Sequence, residues 1–446
     1  MTAEVQFDAP PRPGASTAPD TDLEIEQGPA VGGFRLAELG DRFGSPFFLY
    51  DLDVVTRRVS ALRAVLPPPF RLAYAVKANP NPAVLGHLAG LGLGADVASG
   101  GELAAALRAG FPAARIVFTG PGKRDVELAA AVDAEVGCLT VESPLEMARL
   151  ERIAAAAGRR QPILLRRSVP PDATTEAIRI VGDDGAGKFG MDDADVRACA
   201  AVASRSDWLE LLGVHAFGAS NIRDAAELVA HARATVAFGR TVMAELGLRP
   251  GLIDVGGGLG IPYRDDEAPL ALGDLGRRLV ELTGEWSADP VLRATVLLIE
   301  PGRFLVGPAG VYVTRVLDRK TVRGRQIAIV DGGIHHLIRP ALVGQDHRVV
   351  RIGEDAQDDR SPVTVAGPLC SGLDILARDA PLGLPAVGEP IVVRDVGAYG
   401  FTESMPLFLS HPTPAELVLS DGRIVSYPGN DPVVERRGVR PAPATR

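Results

Sequence analysis

An eightfold alternation of short apolar runs with longer helical segments is the feature that most constrains this fold. The runs lie between Tyr50 and Glu300, at residues 71–76, 94–97, 115–118, 136–140, 162–166, 211–214, 252–255 and 295–299. Alanine-rich segments with apolar residues three or four positions apart separate them. Strand–helix alternation is typical of a parallel sheet, and eight repeats predict a closed (β/α)8 barrel rather than an open sheet.

The helix that follows the fourth run has a recognisable start. Ser143 suits an N-cap and Pro144 suits the first helical turn. Apolar residues then recur on one face, which predicts a helix packed against the barrel.

The sequence changes character after Glu300, where helical spacing largely disappears. Short strand-like runs follow between Gly, Pro and Asp turns, at residues 310–317, 326–330, 363–365, 390–394, 416–419 and 423–426. We therefore predict a barrel over residues 49–303 and a β domain, either a sandwich or a small barrel, over residues 304–430. Residues 31–48 are expected to add a strand to the β domain. Residues 1–30 and 431–446 lack periodicity and are predicted to be a disordered lead and a flexible tail.

The composition excludes several classes of protein. The 446 residues are 46% hydrophobic, enough for a large core, and the net charge of -9 argues against a nucleic-acid-binding surface. No apolar run is long enough to cross a membrane and no signal peptide is recognisable, so a cytoplasmic protein is expected. The three cysteines are too few and too scattered for disulfides or a zinc site, and no metal is expected.

A polar residue or a glycine run lies at the end of every predicted barrel strand. Barrels of this type carry their chemistry at the C-terminal ends of the strands, so these residues should meet at one mouth. In chain order they are Lys77, Asp96, Thr119-Gly120, Glu142, Arg166, His215, Gly256-Gly257-Gly258 and Glu300. The sequence therefore predicts an active site at this mouth.

Three of these features together indicate a cofactor. A lone lysine at a strand end is more often a solvated surface group, but Lys77, desolvated at a barrel mouth, could form a Schiff base. The glycine run can equally be a tight turn, but it follows the seventh strand, where such barrels often bind phosphate. A Glu–Arg pair near a turn is most often a surface ion pair, but Glu300 could instead hold a ring nitrogen and Arg303 a phosphate. Together they describe a pyridoxal phosphate site.

The chain resembles the fold-type III pyridoxal phosphate decarboxylases, which include diaminopimelate, ornithine and arginine decarboxylases. The similar motifs run in order from about residue 34 to about residue 428. They are YAVKAN around Lys77, GADVASGGEL at 94–103, GKFGMD at 187–192, the GGGLG run, EPGR at 300–303, GPLC at 367–370 and GAYG at 397–400. The sequence IRPAL at 338–342 is most similar to the diaminopimelate branch.

The resemblance implies a barrel of the alanine racemase type and a role for each matching residue. Lys77 would bind the cofactor covalently with Asp96 beside it, and Glu300 would pair with the ring nitrogen. The phosphate would be held by Gly257, Gly258, Arg303 and Tyr399, with help from Ser220. His215 is also expected near the cofactor, although a lone histidine is more often structural.

The resemblance also implies roles at the substrate end. Arg339 would hold a substrate carboxylate. Cys370 of the partner subunit would protonate the carbon that loses CO2, within a head-to-tail homodimer that shares its active sites. Cys138 and Cys199 are expected to be buried small residues.

Departures from the family concern the substrate more than the mechanism. Ser371 follows Cys370, where the family normally places an acid for the distal ammonium of the substrate; Ser371 and Asp374 are expected to line the distal end. Phe217 occupies the position of a histidine that usually stacks on the cofactor. The stretch FTESMPLFLSHPTPAE after Tyr399 also differs from diaminopimelate enzymes. These departures resemble a branch that includes decarboxylases of a γ-glutamyl group tethered to a carrier protein.

Three functional hypotheses follow. The leading one is α-decarboxylation of an L- or D-amino acid without a free distal ammonium, either small or bound to a carrier protein. The second is meso-diaminopimelate decarboxylation in lysine synthesis. The third, a non-catalytic regulatory protein that binds the cofactor, should have lost Lys77 or Cys370, and the chain keeps both. A racemase fits less well, because alanine racemase has an arginine where this chain has Glu300.

Overall fold

The computed structural model describes residues 30–31, 33–169, 187–352 and 360–427. They form two compact units. The first comprises the described parts of Arg58–Ile261 and Pro269–Phe304. The second comprises the described residues up to Arg57, Pro262–Ala268 and those from Leu305 onward. The predicted disordered lead at 1–30, apart from Ala30, and the tail at 431–446 lie outside the described residues.

Four short elements come first. They are β1 (Ala30–Val31), β2 (Phe34–Arg35), α1 (Leu36–Phe43) and β3 (Phe47–Asp51). Strand β3 is an interior strand in the sheet of the second unit. Residues up to Arg57 group with that unit rather than with the barrel. The barrel was predicted to begin at residue 49, whereas residues up to Arg57 group with the second unit. Residues 262–268, which lie within the predicted barrel, also group with the second unit.

The first unit is a closed barrel of parallel strands. The strands are β4 (Phe70–Ala75), β5 (Gly94–Val97), β6 (Ile116–Phe118), β7 (Cys138–Val141), β8 (Gln161–Arg167), β9 (Leu209–Ala216), β10 (Leu252–Asp254) and β11 (Val296–Ile299). They pair in the order β10-β11-β4-β5-β6-β7-β8-β9, and the ring is closed between β9 and β10 by Asp254 and His215. Each predicted run overlaps one of these strands, which confirms the barrel.

Helices separate and flank the strands. They are α2 (Leu52–Val65), α3 (Pro82–Gly90), α4 (Gly100–Arg108), α5 (Asp125–Asp133), α6 (Pro144–Ala157), α7 (Asp193–Ala203), α8 (Ala225–Glu245), α9 (Leu272–Ser287) and α10 (Arg303–Val306). The predicted start of α6 is confirmed, because Ser143 Oγ accepts a hydrogen bond from Glu146 N at 3.1 Å. Cys138 is buried within the barrel core and Cys199 is buried on α7.

The second unit is built on a mixed sheet. Its remaining elements are β12 (Gly310–Val322), β13 (Arg325–Val330), α11 (Arg339–Val343), β14 (Val349–Arg351), β15 (Pro362–Ala366), β16 (Ile375–Pro381), β17 (Pro390–Val393), β18 (Ala415–Ser420) and β19 (Arg423–Tyr427). The sheet runs β16-β15-β13-β12-β3-β18-β19, with β17 paired to both β12 and β14. Strand β3 pairs antiparallel with β12 and parallel with β18, so residues 31–48 do contribute to this sheet. Among the described residues, no helix is long and apolar enough to cross a membrane.

Candidate active site

Five adjacent strands of the barrel bring the predicted polar residues together at one mouth. In the order β9, β10, β11, β4, β5 they carry His215, the glycine run, Glu300, Lys77 and Asp96. Lys77 lies in the single 3₁₀ turn Val76–Ala78 that directly follows β4. The convergence predicted from the strand ends is therefore present in the fold.

Lys77 and Asp96 form an ion pair across neighbouring strands. Lys77 Nζ lies 2.8 Å from Asp96 Oδ2, and Asp96 Oδ1 accepts a hydrogen bond from Thr119 Oγ1 at 2.6 Å. The Asp96 side chain is fully buried whereas that of Lys77 is 42% exposed within the chain. Burial, reinforced by repulsion from Glu300, raises the pKa of Asp96, and Lys77 opposes this shift. The ion pair thus holds the accessible amine of Lys77 in place through the buried carboxylate of Asp96.

Glu300, Asp254 and His215 form a buried cluster beside this pair. His215 Nε2 lies 3.7 Å from Glu300 Oε2, and all three side chains are at most 5% exposed. Burial acts to raise the pKa of Glu300, but His215 and Lys77 outweigh it and lower that pKa to about 2. Burial and repulsion from Glu300 raise the pKa of Asp254 well above its usual value. The ionised form is therefore favoured at Glu300 and the protonated form at Asp254.

Buried polar atoms of this cluster indicate a binding site. Within the described part of the chain, Glu300 Oε1 and both ring nitrogens of His215 are buried without a hydrogen-bond partner. A buried ionised oxygen without a partner is costly unless a ligand donates to it. The ligand atoms of the three residues also lie within 4.8 Å of one another, as in a metal site. Burial favours the protonated form of Asp254, however, whereas a carboxylate must lose its proton to bind a metal.

The glycine run packs closely against the loops after β9 and β11. A Cβ on Gly257 would lie 2.3 Å from Glu300 O, and one on Gly258, whose φ is +92°, would lie 2.6 Å from Ala219 O. Ile222 N donates to Gly258 O at 2.8 Å, which holds the two loops together. Only glycine fits such close approaches, so the run is more than a permissive turn.

Ser220, Arg303 and Phe217 lie around the same loops. Arg303 Nη2 donates to Ser220 Oγ at 3.2 Å, and both residues are buried. Phe217 directly follows β9, and its Cδ2 would lie 3.0 Å from a Cβ at Gly256. A guanidinium, a hydroxyl and glycine backbone together form a suitable environment for a phosphate.

The polar residues on the other side of the mouth bind one another. Glu142 accepts hydrogen bonds from Arg166 Nη1 at 2.8 Å, Gly120 N at 2.9 Å and Gly190 N at 3.1 Å. These contacts tie the loops after β6 and β8 to the end of β7. Glu142 and Arg166 are therefore structural in the described contacts.

The second unit carries the remaining predicted residues. Cys370 is exposed in a loop between β15 and β16. Asp374 shapes this loop: it is 2% exposed, and its carboxylate accepts hydrogen bonds from Leu369 N at 2.7 Å and Ile334 N at 2.8 Å. Both oxygens are already engaged by backbone, so these contacts support positioning of the Cys370 loop rather than the predicted substrate contact for Asp374.

Arg339 and Tyr399 lie together in the same unit. The Arg339 guanidinium carbon is 5.1 Å from the centre of the Tyr399 ring, and Arg339 Nη1 donates to Glu403 Oε2 at 2.8 Å. Gly397, two residues before Tyr399, packs closely against Val306, because a Cβ there would lie 1.9 Å from Val306 O. Arg339 thus already has a carboxylate partner within the chain, which the sequence analysis did not anticipate.

Two acids at these sites were missed from the sequence. Asp254 was counted as an ordinary strand residue, although its place two residues before the glycine run could have signalled it. Glu403 lies in the stretch that was recognised as divergent, but nothing in its spacing pointed to Arg339.

Comparison with known proteins assigns the family. Residues 52–307 match the family model described as "Pyridoxal-dependent decarboxylase, pyridoxal binding domain". The chain belongs to the pyridoxal-dependent decarboxylases. Its cofactor is therefore pyridoxal phosphate. As a member of a decarboxylase family, the chain is a carboxy-lyase that acts on an amino acid.

Curated relatives of this decarboxylase carry two kinds of name. The L-glutamyl-[BtrI acyl-carrier protein] decarboxylase of Niallia circulans is 33% identical over 87% of this chain and 92% of its own length. The diaminopimelate decarboxylase of Pseudomonas aeruginosa is 37% identical over 83% of this chain and 87% of its own length. The crystal structure of diaminopimelate decarboxylase from Helicobacter pylori complexed with L-lysine is 30% identical, covers 90% of this chain and 99% of that one, and has a TM-score of 0.80. The expected fold and cofactor are thereby confirmed.

The residues at the barrel mouth fit the cofactor. Glu300 offers a buried, ionised oxygen without a partner among the described residues, as a protonated ring nitrogen requires. The glycine run leaves no room for side chains beside Ser220 and Arg303, where a phosphate needs backbone N–H groups.

Proposed function

We propose that this decarboxylase removes the α-carboxyl group from a glutamyl-type amino acid whose distal end is an uncharged amide or a carrier-protein thioester. Ser371 carries the proposal, because it follows Cys370 where the family normally has an acid for a distal ammonium. Leaving a buried charge unpaired typically costs about 2–5 kcal/mol, which disfavours substrates with a free distal amine. The name of the Niallia circulans relative supports a glutamyl substrate.

The reaction divides among residues of the barrel as follows. Pyridoxal phosphate, when bound, draws the electron pair left by CO2 into its ring. Lys77 holds the cofactor covalently, and Asp96 keeps the Lys77 amine in place at 2.8 Å. Glu300, with a pKa of about 2, stays ionised and holds a proton on the ring nitrogen. Burial and repulsion from Glu300 raise the pKa of Asp254 beside it, which favours its protonated form.

Other residues anchor the cofactor. Ser220, Gly257, Gly258 and Arg303 bind its phosphate, and the resemblance to the family assigns Tyr399 to the same group. Phe217 stacks on the ring face in place of the usual histidine and provides an apolar contact without a proton. His215 lies next to Glu300 and lowers the pKa of that carboxyl.

Proton delivery requires a second subunit. The bond from Cα to the carboxylate breaks and CO2 leaves without the electron pair of that bond, which the bound cofactor would delocalise until Cα takes up a proton. Cys370 of the partner subunit then donates its thiol proton to Cα. The exposure of Cys370 in a loop that Asp374 holds in place supports this role, since a donor must be accessible and fixed.

Diaminopimelate is the second candidate substrate. The Pseudomonas aeruginosa relative, at 37% identity, is named for that activity. In that case groups other than an acid at position 371 would bind the distal ammonium.

Release of CO2 by the purified holoenzyme tests the proposal. We expect release from a γ-glutamyl thioester or from glutamine, and none from the Lys77→Ala control. Ser371→Glu should shift the preference toward substrates with a distal amine. Decarboxylation of meso-diaminopimelate alone would favour the second candidate.

A further inference from the structure

Arg339 is held on two sides by residues of its own chain. Nη1 donates to Glu403 Oε2 at 2.8 Å and Nε donates to Gln345 Oε1 at 3.2 Å. The Arg339 side chain is 5% exposed and that of Glu403 is 31% exposed. The acid thus lies between the buried guanidinium and the outside of this unit.

A chain of hydrogen bonds fixes the orientation of the Gln345 side-chain amide. His347 Nδ1 lies 3.0 Å from Arg394 O, which can only accept, so this nitrogen carries the proton. His347 Nε2 is therefore the acceptor for Gln345 Nε2, 3.0 Å away. Gln345 must then turn its carbonyl oxygen toward Arg339, and reversing the amide would break two hydrogen bonds.

Hydrogen bonds to the backbone also fix the turn that carries Glu403. Ser404 Oγ accepts a hydrogen bond from Ile338 N at 3.0 Å and donates to Gly400 O at 2.8 Å. These bonds join the 3₁₀ turn Phe401–Glu403 to the residue directly before Arg339. The Arg339–Glu403 pair is therefore built into the fold, unlike a surface pair between two flexible side chains.

This pairing cancels the charge that would bind a distal carboxylate. A substrate carboxylate at Arg339 would compete with Glu403 and bring a second negative charge to one guanidinium. An amide or thioester carbonyl brings no charge, and can accept a hydrogen bond from a guanidinium N–H without displacing the acid.

We propose that Glu403 is a specificity-determining residue, which neutralises Arg339 and so excludes amino acids with a free distal carboxylate in favour of those whose distal end is an amide or thioester. This deepens the proposed function and rests on it, because it takes the substrate to be of the glutamyl type. It also takes Arg339, which the resemblance assigns to a substrate carboxylate, to face the distal end. Free glutamate and diaminopimelate, which both carry a distal carboxylate, should then be poor substrates. Glutamate masked as a thioester should be a good one.

Binding of two unreactive analogues by the holoenzyme tests the role of Glu403. Glutarate and its monoamide glutaramate lack the α-amino group and differ only in one charge. Isothermal titration should show that the wild type prefers glutaramate. Glu403→Gln keeps a hydrogen-bond acceptor for Arg339 but removes the charge, and should shift the preference toward glutarate at least about tenfold. Asp41→Asn removes an exposed acid from another arginine pair, with Arg315, and should leave the preference unchanged.

A second variant and a kinetic measurement complete the test. Arg339→Gln leaves Glu403 without its partner and should weaken glutarate binding more than glutaramate binding. The kcat/KM ratio of L-glutamate to L-glutamine should rise in Glu403→Gln. A wild type that prefers glutarate, or a Glu403→Gln preference within twofold of the wild type, overturns the assignment. Failure of every glutamyl compound to release CO2 would instead overturn the proposed function, while the binding ratios still decide the role of Glu403.

Discussion

The Lys77 amine lies 2.8 Å from the buried carboxylate of Asp96, at the end of the neighbouring barrel strand. Thr119 donates to the other oxygen of the same carboxylate at 2.6 Å. Asp96 thereby sets the position of the one lysine that the proposal assigns to the cofactor, and the assignment can be tested chemically.

Borohydride reduction should fix the cofactor to Lys77. The purified protein should be yellow, and peptide mapping after reduction should place the cofactor mass on the peptide that contains Lys77. Lys123 is an internal control, because it is buried against Glu146 at 2.6 Å and should carry no adduct. An adduct on a different lysine would refute the assignment.

Glu300→Gln should retain the cofactor but lose activity. The amide cannot hold a proton on the ring nitrogen, so we expect kcat to fall by about 10²-fold or more. Absorbance of the bound cofactor measures its retention, and CO2 release measures the rate. A variant with more than a third of the wild-type kcat would show that Glu300 does not have this role.

Complementation between inactive subunits tests the shared site. Lys77→Ala and Cys370→Ala should each be nearly inactive as homodimers. Lys77 and Cys370 lie in different units of the chain, and in a head-to-tail dimer one mixed site would carry both intact residues. Mixing the two variants should therefore restore part of the activity. If subunits exchange, as shown by mass-labelled chains, and activity does not return, each site is built from a single chain.

Stability should fall as the pH is lowered below 6.5, and His335 should account for part of the loss. Burial, followed by repulsion from His411, lowers the pKa of His335 to about 4, and its ring nitrogens have no partner among the described residues. Between pH 4 and the ordinary histidine pKa of about 6.5, the unfolded chain binds a proton that the folded chain does not. The free energy of unfolding therefore decreases with falling pH, by up to about 1.4 kcal/mol per pH unit for one such histidine.

His335→Phe removes this proton from the unfolded state and keeps an aromatic ring beside His336. Denaturant titrations between pH 4 and 7 should show a smaller pH slope in the variant. An unchanged slope would mean that His335 is protonated to the same extent in both states.

The barrel was predictable because its signal is repeated. Most residues of each strand are buried and form a short apolar run, and each predicted run overlaps an observed strand. Strands β14 and β16 were missed because each includes charged residues, Arg351 in β14 and Arg378 and Asp379 in β16. The strand order that places β3 between β12 and β18 depends on contacts far apart in sequence, which no local pattern encodes.

The site was predictable only as far as local motifs reach. Lys77, Glu300 and the glycine run each follow a strand, so the barrel itself brings them together. The Arg339–Glu403 pair joins residues 64 positions apart through a turn whose geometry the sequence does not reveal. Asp374 was expected to contact a substrate, and its carboxylate accepts hydrogen bonds from the backbone amides of Ile334 and Leu369. The sequence does not reveal these contacts either.

A direct competition experiment tests the central claim, that the enzyme decarboxylates a glutamyl-type amino acid with an uncharged distal end. Equimolar γ-glutamyl thioester and meso-diaminopimelate are incubated with the holoenzyme, and the initial rates of formation of the two amine products give the ratio of the specificity constants. We predict that the product of the thioester exceeds lysine by at least about 30-fold, the lower end expected for an unpaired distal charge. Lysine as the dominant product would contradict the account and identify the enzyme as a diaminopimelate decarboxylase.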